Sequence, residues 1–196
     1  MEESETRCAR IEDVQVDDFI WFCEYTYRGD YTVPRWEEPV PGPSSMASLR
    51  TQFNSRKYLN DGGPKALVLQ RFESKINQNF TPVLLAHARL YCFAHLRLIA
   101  PLKELTLGKL HKTLIGFKLF KQRIGDVIEL ARYAYSNPDL PDRKDDGTLD
   151  DLRKLVVEYI ICEIDTIGES NEFVKYMEEG GKFVGDFWKM ARDYMA

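Results

Sequence analysis

From Thr81 onward, apolar residues recur at helical spacing almost without interruption, and capping signals divide the run into separate helices. Thr81-Pro82 reads as an N-cap followed by proline at the first helical position, where its missing N–H costs nothing. Leu84, Leu85, Ala86, Ala88, Leu90, Tyr91 and Phe93 fill that helix. Pro101 repeats the device before Leu102, Leu105, Leu107, Leu110 and Leu114, which predict a helix from Leu102 to Leu114. Phe117, Phe120, Ile124, Val127, Ile128, Ala131, Ala134 and Tyr135 form the next stripe, ended by Asn137-Pro138. After a charged loop from Asp139 to Gly147, Thr148 and Asp151 read as a capping box before Leu152, Leu155, Val156, Tyr159, Ile160 and Ile164. Ser170 caps a short helix closed by Gly180-Gly181, and Phe183, Val184, Phe187, Trp188 and Met190 carry the last one.

Ahead of this helical half lies a different pattern. Ile11, Val14 and Val16 suggest a brief extended start. A helix beginning at Asp17 or Asp18 then places Phe19, Phe22, Cys23 and Thr26 on one face, with Trp21, Tyr25 and Tyr27 adjoining. Gly29 stops it, and Tyr31-Thr32-Val33 is strand-like. Pro34, Pro39, Pro41, Gly42, Pro43, Gly62, Gly63 and Pro64 break regular structure in the following stretch, where only Lys65 to Asn77 has a helical pattern. Trp36, Phe53, Tyr58 and Phe72 are large aromatics for such a segment, and docking on the helical body is the preferred reading over a contact surface. The chain divides into a polar tail (1–10), a helix-and-strand segment (11–34), a loop-rich insertion (35–81), a helical pair (82–115) and a helical extension (116–196). The expected class is mainly α, about seven helices, with at most one or two short strands.

Composition narrows the setting. A chain of 196 residues with 44% hydrophobic content can bury a substantial core. The net charge of -4 neither recruits nor repels nucleic acid strongly. The N-terminus is acidic where a signal peptide is basic and apolar, and no stretch reaches bilayer-spanning length, so no membrane partner and an intracellular, cytoplasmic or nuclear setting are expected. The four cysteines, Cys8, Cys23, Cys92 and Cys162, form no CxxC pair and read as reduced thiols, mostly buried. Asn79-Phe80-Thr81 matches a glycosylation sequon by chance in such a setting.

The order of pieces carries a resemblance. An acidic-capped helix ends in Tyr25-Thr26-Tyr27-Arg28-Gly29-Asp30-Tyr31, then come Tyr31-Thr32-Val33, the helix Leu84-Leu85-Ala86-His87-Ala88, an aromatic at Tyr91 or Phe93, and Leu102-Lys103-Glu104-Leu105. In this order residues 9–34 and 82–114 resemble the C-terminal half of a BTB/POZ domain, a protein-interaction fold. Arg123-Ile124-Gly125-Asp126-Val127-Ile128-Glu129-Leu130, Arg132-Tyr133-Ala134-Tyr135, Leu152-Arg153-Lys154-Leu155-Val156-Val157 and Gly180-Gly181-Lys182-Phe183-Val184 are similar to the helical tail of BTB proteins typical of filamentous fungi. The resemblance implies a partial BTB/POZ-like helical domain with a helical extension. It also implies a non-enzymatic adaptor, for ubiquitin-ligase or transcriptional assemblies, that meets its protein partner through Asp17, Asp18, Tyr27, Tyr31 and Phe80. The family's opening strand pair and first helical hairpin have no counterpart before Ile11, so its usual homodimer is not expected. The exposed side of the 17–28 helix then needs a cover, from the 35–81 insertion or from a partner. Cullin-recruiting members commonly carry a hydrophobe-x-acid step before the Leu-Leu-Ala helix. Here Phe80-Thr81-Pro82 keeps the hydrophobe without the acid, which weakens a cullin-type scaffold as the partner.

Candidate chemistry is sparse. Cys92 is turned about 140° from His87, while His95 shares the His87 face only approximately, and no fourth ligand has zinc-type spacing. His111 has no nucleophile to serve. Adjacent acids at Asp17-Asp18, Asp145-Asp146, Asp150-Asp151 and Glu178-Glu179 point about 100° apart on a helix, and capping accounts for most of them. Gly180-Gly181 lacks the Lys-Ser/Thr of a phosphate loop. No catalytic residue, cofactor or metal is therefore expected. Arg97, Lys103, Lys109, Lys112, Lys118, Lys121 and Arg123 stand against one acid, Glu104, and offer the alternative function: a basic face over 97–123 for a nucleic-acid-associated factor, with a solvated face as the plainer reading. Finally, Phe19, Phe22, Leu84, Leu85, Leu105 and Leu110 are expected to share one core, so that Leu85→Ala would cost about 2–5 kcal/mol.

Overall fold

The computed structural model describes residues 14–34, 53–56, 79–144 and 148–195. Among these, eight α-helices and one 3-10 turn form, and no strand. They are α1 (Val16–Arg28), α2 (Thr81–Leu96), α3 (Ala100–Gly116), α4 (Ile124–Ser136), α5 (Asp151–Cys162), α6 (Ile164–Ile167), α7 (Asn171–Glu178) and α8 (Lys182–Met195), with the 3-10 turn at Lys121–Arg123. The mainly α class stands. Tyr31, Thr32 and Val33 join no sheet. The expected start at Ile11, the Lys65–Asn77 helix, Cys8, Trp36, Tyr58, Phe72, Asp145 and Asp146 lie outside the described residues.

The helix ends follow local chemistry with four shifts from expectation. Gly29 ends α1 at φ 67, its N–H donating to the Tyr25 carbonyl, and Gly180 and Gly181 take φ 75 and 88 between α7 and α8, conformations that glycine adopts without a Cβ penalty. Ser170 caps α7 by accepting from the Glu172 N–H. Four positions move. The cap of α1 is Gln15, which leaves Asp17 and Asp18 inside the first turn, where acids favour the helix dipole. Asp150, not Thr148, caps α5 by accepting from the Leu152 N–H. Thr81 is already helical, after Phe80 at the cap, and its hydroxyl instead donates to Asp126 Oδ1 at 2.7 Å. Phe117 and Phe120 are extended residues flanking the connector between α3 and α4, not helix, although both are buried.

α2 and α3 form an antiparallel hairpin: Lys103 meets His95 near its turn and Thr113 meets His87 near its open end. α4 packs on α2, α5 on α4 and α3, α7 on α4, and α8 on α5. α2 is apolar on all sides because it divides two cores. Ala86, Leu90, Phe93 and Ala94 enter a smaller cluster with Trp21, Tyr31 and Leu102. Leu84, Ala88, Tyr91 and Cys92 enter the main cluster with Leu110, Leu114, Ile128, Leu155 and Tyr159. The single core expected from Phe19, Phe22, Leu84, Leu85, Leu105 and Leu110 is thus split: Leu84 and Leu110 belong to the main cluster, Phe22 and Leu105 pack beside the smaller one. Phe19 is exposed and Leu85 half-buried. Of the 35–81 segment, Phe53 docks on the body as preferred, its ring 4.7 Å from that of His111 and 5.8 Å from that of Tyr159.

Candidate protein-interaction surface

α1 has two apolar sides. The inner side is Asp18, Trp21, Phe22 and Tyr25, set against α2. Phe22 and Phe93 lie 5.0 Å apart. Arg89 joins the two elements, donating from Nε to Asp18 Oδ1 at 3.0 Å while its guanidinium sits 5.4 Å over the Trp21 ring. Burial pushes the Asp18 carboxyl up from its ordinary value, and Arg89 opposes that shift by favouring the charged form.

A buried polar cluster fixes the chain where it leaves α1. The Tyr31 hydroxyl lies 2.6 Å from His87 Nδ1, and His87 Nε2 lies 3.4 Å from Thr113 Oγ1. Thr113 donates its own hydroxyl proton to the Lys109 carbonyl, so Nε2–H is the donor toward Thr113 and Nδ1 accepts from Tyr31. Lys109 Nζ donates to the Tyr31 carbonyl at 2.7 Å, pairs with Asp30, and sits 4.2 Å over the Tyr31 ring. Burial holds His87 neutral, its pKa lowered to about 3, with the Lys109 charge adding to the shift. Burial and the Asp30 charge push the Tyr31 phenol well up. Each of these groups is engaged within the fold, which suits an anchor for the return of the chain over α2.

Among the described residues, nothing covers the outer side of α1. Val16, Ile20 and Tyr27 are 75%, 55% and 91% exposed, Phe19 is 41% exposed, and Cys23 is half-buried. Steps of four, three and four keep Val16, Ile20, Cys23 and Tyr27 on one side of the helix, opposite Trp21 and Tyr25. Leu98, between α2 and α3, is 90% exposed with φ 55, a conformation that costs a residue with a Cβ.

Of the residues expected to meet a partner, the structure leaves Asp17 and Tyr27 on the surface. Asp18, Tyr31 and Phe80 are interior. Phe80 lies 4.7 Å from Phe117, and its N–H donates to Asp126 Oδ2 at 3.1 Å. Asp126 also takes Arg123 Nε at 3.0 Å, so the acid beside Phe80 comes from α4 and is buried. The sequence pattern assigns Val16 to an extended start, whereas it is the first residue of α1, and it gives Ile20 no role. Their signal was the 4-3-4 spacing, masked because the inner side of the same helix also has helical spacing.

The other candidates resolve into fold contacts. His95 faces Lys103 at 3.2 Å, and His111 is buried, donating from Nε2 to the Phe53 carbonyl at 2.6 Å. Burial pushes the Cys92 thiol up to about 12, and no disulfide joins Cys23, Cys92 and Cys162. No group of His, Cys, Asp or Glu that could hold a metal ion occurs among the described residues. Asp150 accepts from the Tyr91 hydroxyl at 2.9 Å, whereas Asp151 pairs with Lys144 at 2.5 Å, so these adjacent acids serve separate partners. Within 97–123, Lys109 pairs with Asp30, Lys121 with Glu169 and Arg123 with Asp126, and Lys103 lies 3.8 Å from Asp150. No helix among the described residues is long and apolar enough to cross a membrane. No family model, curated protein or solved structure matches the chain.

Proposed function

We propose that this chain is a non-enzymatic protein-interaction module of BTB/POZ-like adaptor type, and that it presents the outer side of α1 to a protein partner. The observation that carries the reading is the apolar row in which Val16, Ile20 and Tyr27 stand in solvent, with Phe19 beside it and Cys23 half-buried within it, on a helix whose other side packs on α2. Contiguous exposed apolar surface of this kind marks an interaction site more often than isolated apolar residues do. The resemblance of the helix order to the later half of a BTB domain points the same way. Phe80 leaves the proposed contact set, because a Phe80→Ala change would report on the core and not on a partner.

The test is affinity capture with the intact chain and with Ile20→Asp. The expected outcome is a specific partner held by the intact chain and lost by the variant, with helix content unchanged by circular dichroism. Equal capture by both chains, or no specific partner with either, a second copy of the chain counting as a partner, overturns the reading.

A further inference from the structure

Resting on the reading of α1's outer side as an interaction surface, we propose that its occupant is the outer side of α1 in a second copy of this chain, packed antiparallel about a two-fold axis. Three observations converge on it. The first is spacing: Val16, Ile20, Cys23 and Tyr27 are separated by four, three and four residues, a pattern that reads the same in both directions. Reversed against itself, it sets Val16 opposite the second copy's Tyr27 and Ile20 opposite the second copy's Cys23. A two-fold interface requires this self-complementarity, residue i meeting j while j meets i.

The second is charge. Asp17, Glu24 and Arg28 lie along one flank of the apolar row, with two turns from Asp17 to Glu24 and one from Glu24 to Arg28. A two-fold axis perpendicular to both helices brings this flank of each copy to the same side, so Asp17 at the start of one α1 stands beside Arg28 at the end of the other. Asp17 is exposed and takes no hydrogen bond or ion pair among the described residues. Arg28 contacts Glu24 through Nη1 alone, which leaves other guanidinium donors for an acid. The antiparallel arrangement also opposes the two helix dipoles. A parallel two-fold would place the charged flanks on opposite sides of the seam and leave Asp17 without the second copy's Arg28 beside it.

The third is what lies at the centre. The two-fold axis falls midway between Ile20 and Cys23, and the side chains there are an aliphatic residue and a small thiol, with no charge to desolvate. With helix axes 8–10 Å apart, the two Cys23 Cα atoms come to about 6–7 Å, close to the reach of a disulfide. One helix side is less than the ~800 Å² per partner of a standard interface, so the dimer is a reversible one that forms at raised concentration.

Sedimentation equilibrium and cross-linking on the full chain, carrying Cys8→Ser, test the proposal. Mass should rise with concentration, mild oxidation should give a Cys23-linked dimer, and Ile20→Asp should weaken self-association by about tenfold or more. The pairing is checked in a Cys23→Ser background by mixing Val16→Cys and Tyr27→Cys copies: the mixed pair should cross-link, and Val16→Cys alone should not. A monomer at every concentration up to about 1 mM, or cross-linking of Val16→Cys to itself as readily as to Tyr27→Cys, overturns the dimer. A monomer that still captures another protein through Ile20 leaves the interaction reading intact. A monomer that captures nothing removes both.

Discussion

α1 and α2 each carry apolar residues on opposite sides, yet only α2 has both sides covered. α2 lies between two cores, with Leu84 and Ala88 in one and Ala86 and Leu90 in the other. α1 meets α2 through Trp21 and Phe22 and leaves Val16, Ile20 and Tyr27 in solvent. The same residue types thus serve folding in one helix and are available for binding in the other. What separates the two is the neighbours that tertiary packing supplies, and hydrophobicity alone does not tell them apart.

The sharpest way to probe this contrast is a truncation in the fully enclosed helix. Leu84 is fully buried, and Leu84→Ala should cost about 2–5 kcal/mol in urea unfolding, the usual range when a cavity is left in a core. Leu85, half-buried on the same helix, should lose clearly less when changed to alanine. A Leu85 variant as damaging as the Leu84 variant would show that α2 faces its cores differently.

Acid should weaken the joint between the two helices. The folded pKa of His87 is lowered to about 3, below the ordinary value near 6.5, so between these limits the unfolded chain binds the proton that the folded chain refuses. This contribution is constant above pH 6.5 and is lost as pH falls toward 3, at up to about 1.4 kcal/mol per pH unit. Unfolding measured from pH 7 to pH 4 should show the loss, and His87→Gln, which does not titrate, should flatten that part of the curve. An unchanged pH dependence in the variant would break the assignment.

The Tyr31 hydroxyl tests the same joint without titration. Tyr31→Phe keeps the ring beside Lys109 and removes the donor to His87 Nδ1, leaving a buried acceptor unsatisfied. The cost should be about 1–3 kcal/mol, read as a lower unfolding midpoint at pH 7. A loss that vanishes in the His87→Gln background would confirm that the two residues act as a pair.

Much of the fold was legible because it depends on local signals. Gly29, Ser170 and the Gly180-Gly181 pair end or begin helices through backbone chemistry that involves only their near neighbours, and the stripe from Ile124 to Ala134 has a clear polar back. The long-range features were not legible. Asp126 reaches across to Phe80 and Thr81 from α4, His87 meets Tyr31 over 56 residues of chain, and periodicity gives no hint of either. Tyr31 and Phe80 read as contact residues through the resemblance, and their residue type gave no correction, since aromatic side chains suit an interface and a core equally well. α1 was misread for a similar reason: with apolar residues on two sides, spacing permits either one to face inward. The part-buried Asp18–Arg89 pair, which decides between them, is visible only once α2 is in place.

The smallest expected effect is the most informative about α1. Ile20 is more than half exposed, so Ile20→Ser removes little buried surface and should change monomer stability by no more than about 0.5 kcal/mol, the usual range for surface sites. Measured at low concentration, where self-association is absent, its unfolding curve should overlay that of the unaltered chain, while Trp21→Ala on the inner side of the same helix should shift the curve plainly. The aliphatic side chain at position 20 would then be needed for contact with another chain and not for folding. If Ile20→Ser instead destabilises the monomer as Leu84→Ala does, the outer side of α1 is covered within the single chain, and the difference between the two helices disappears.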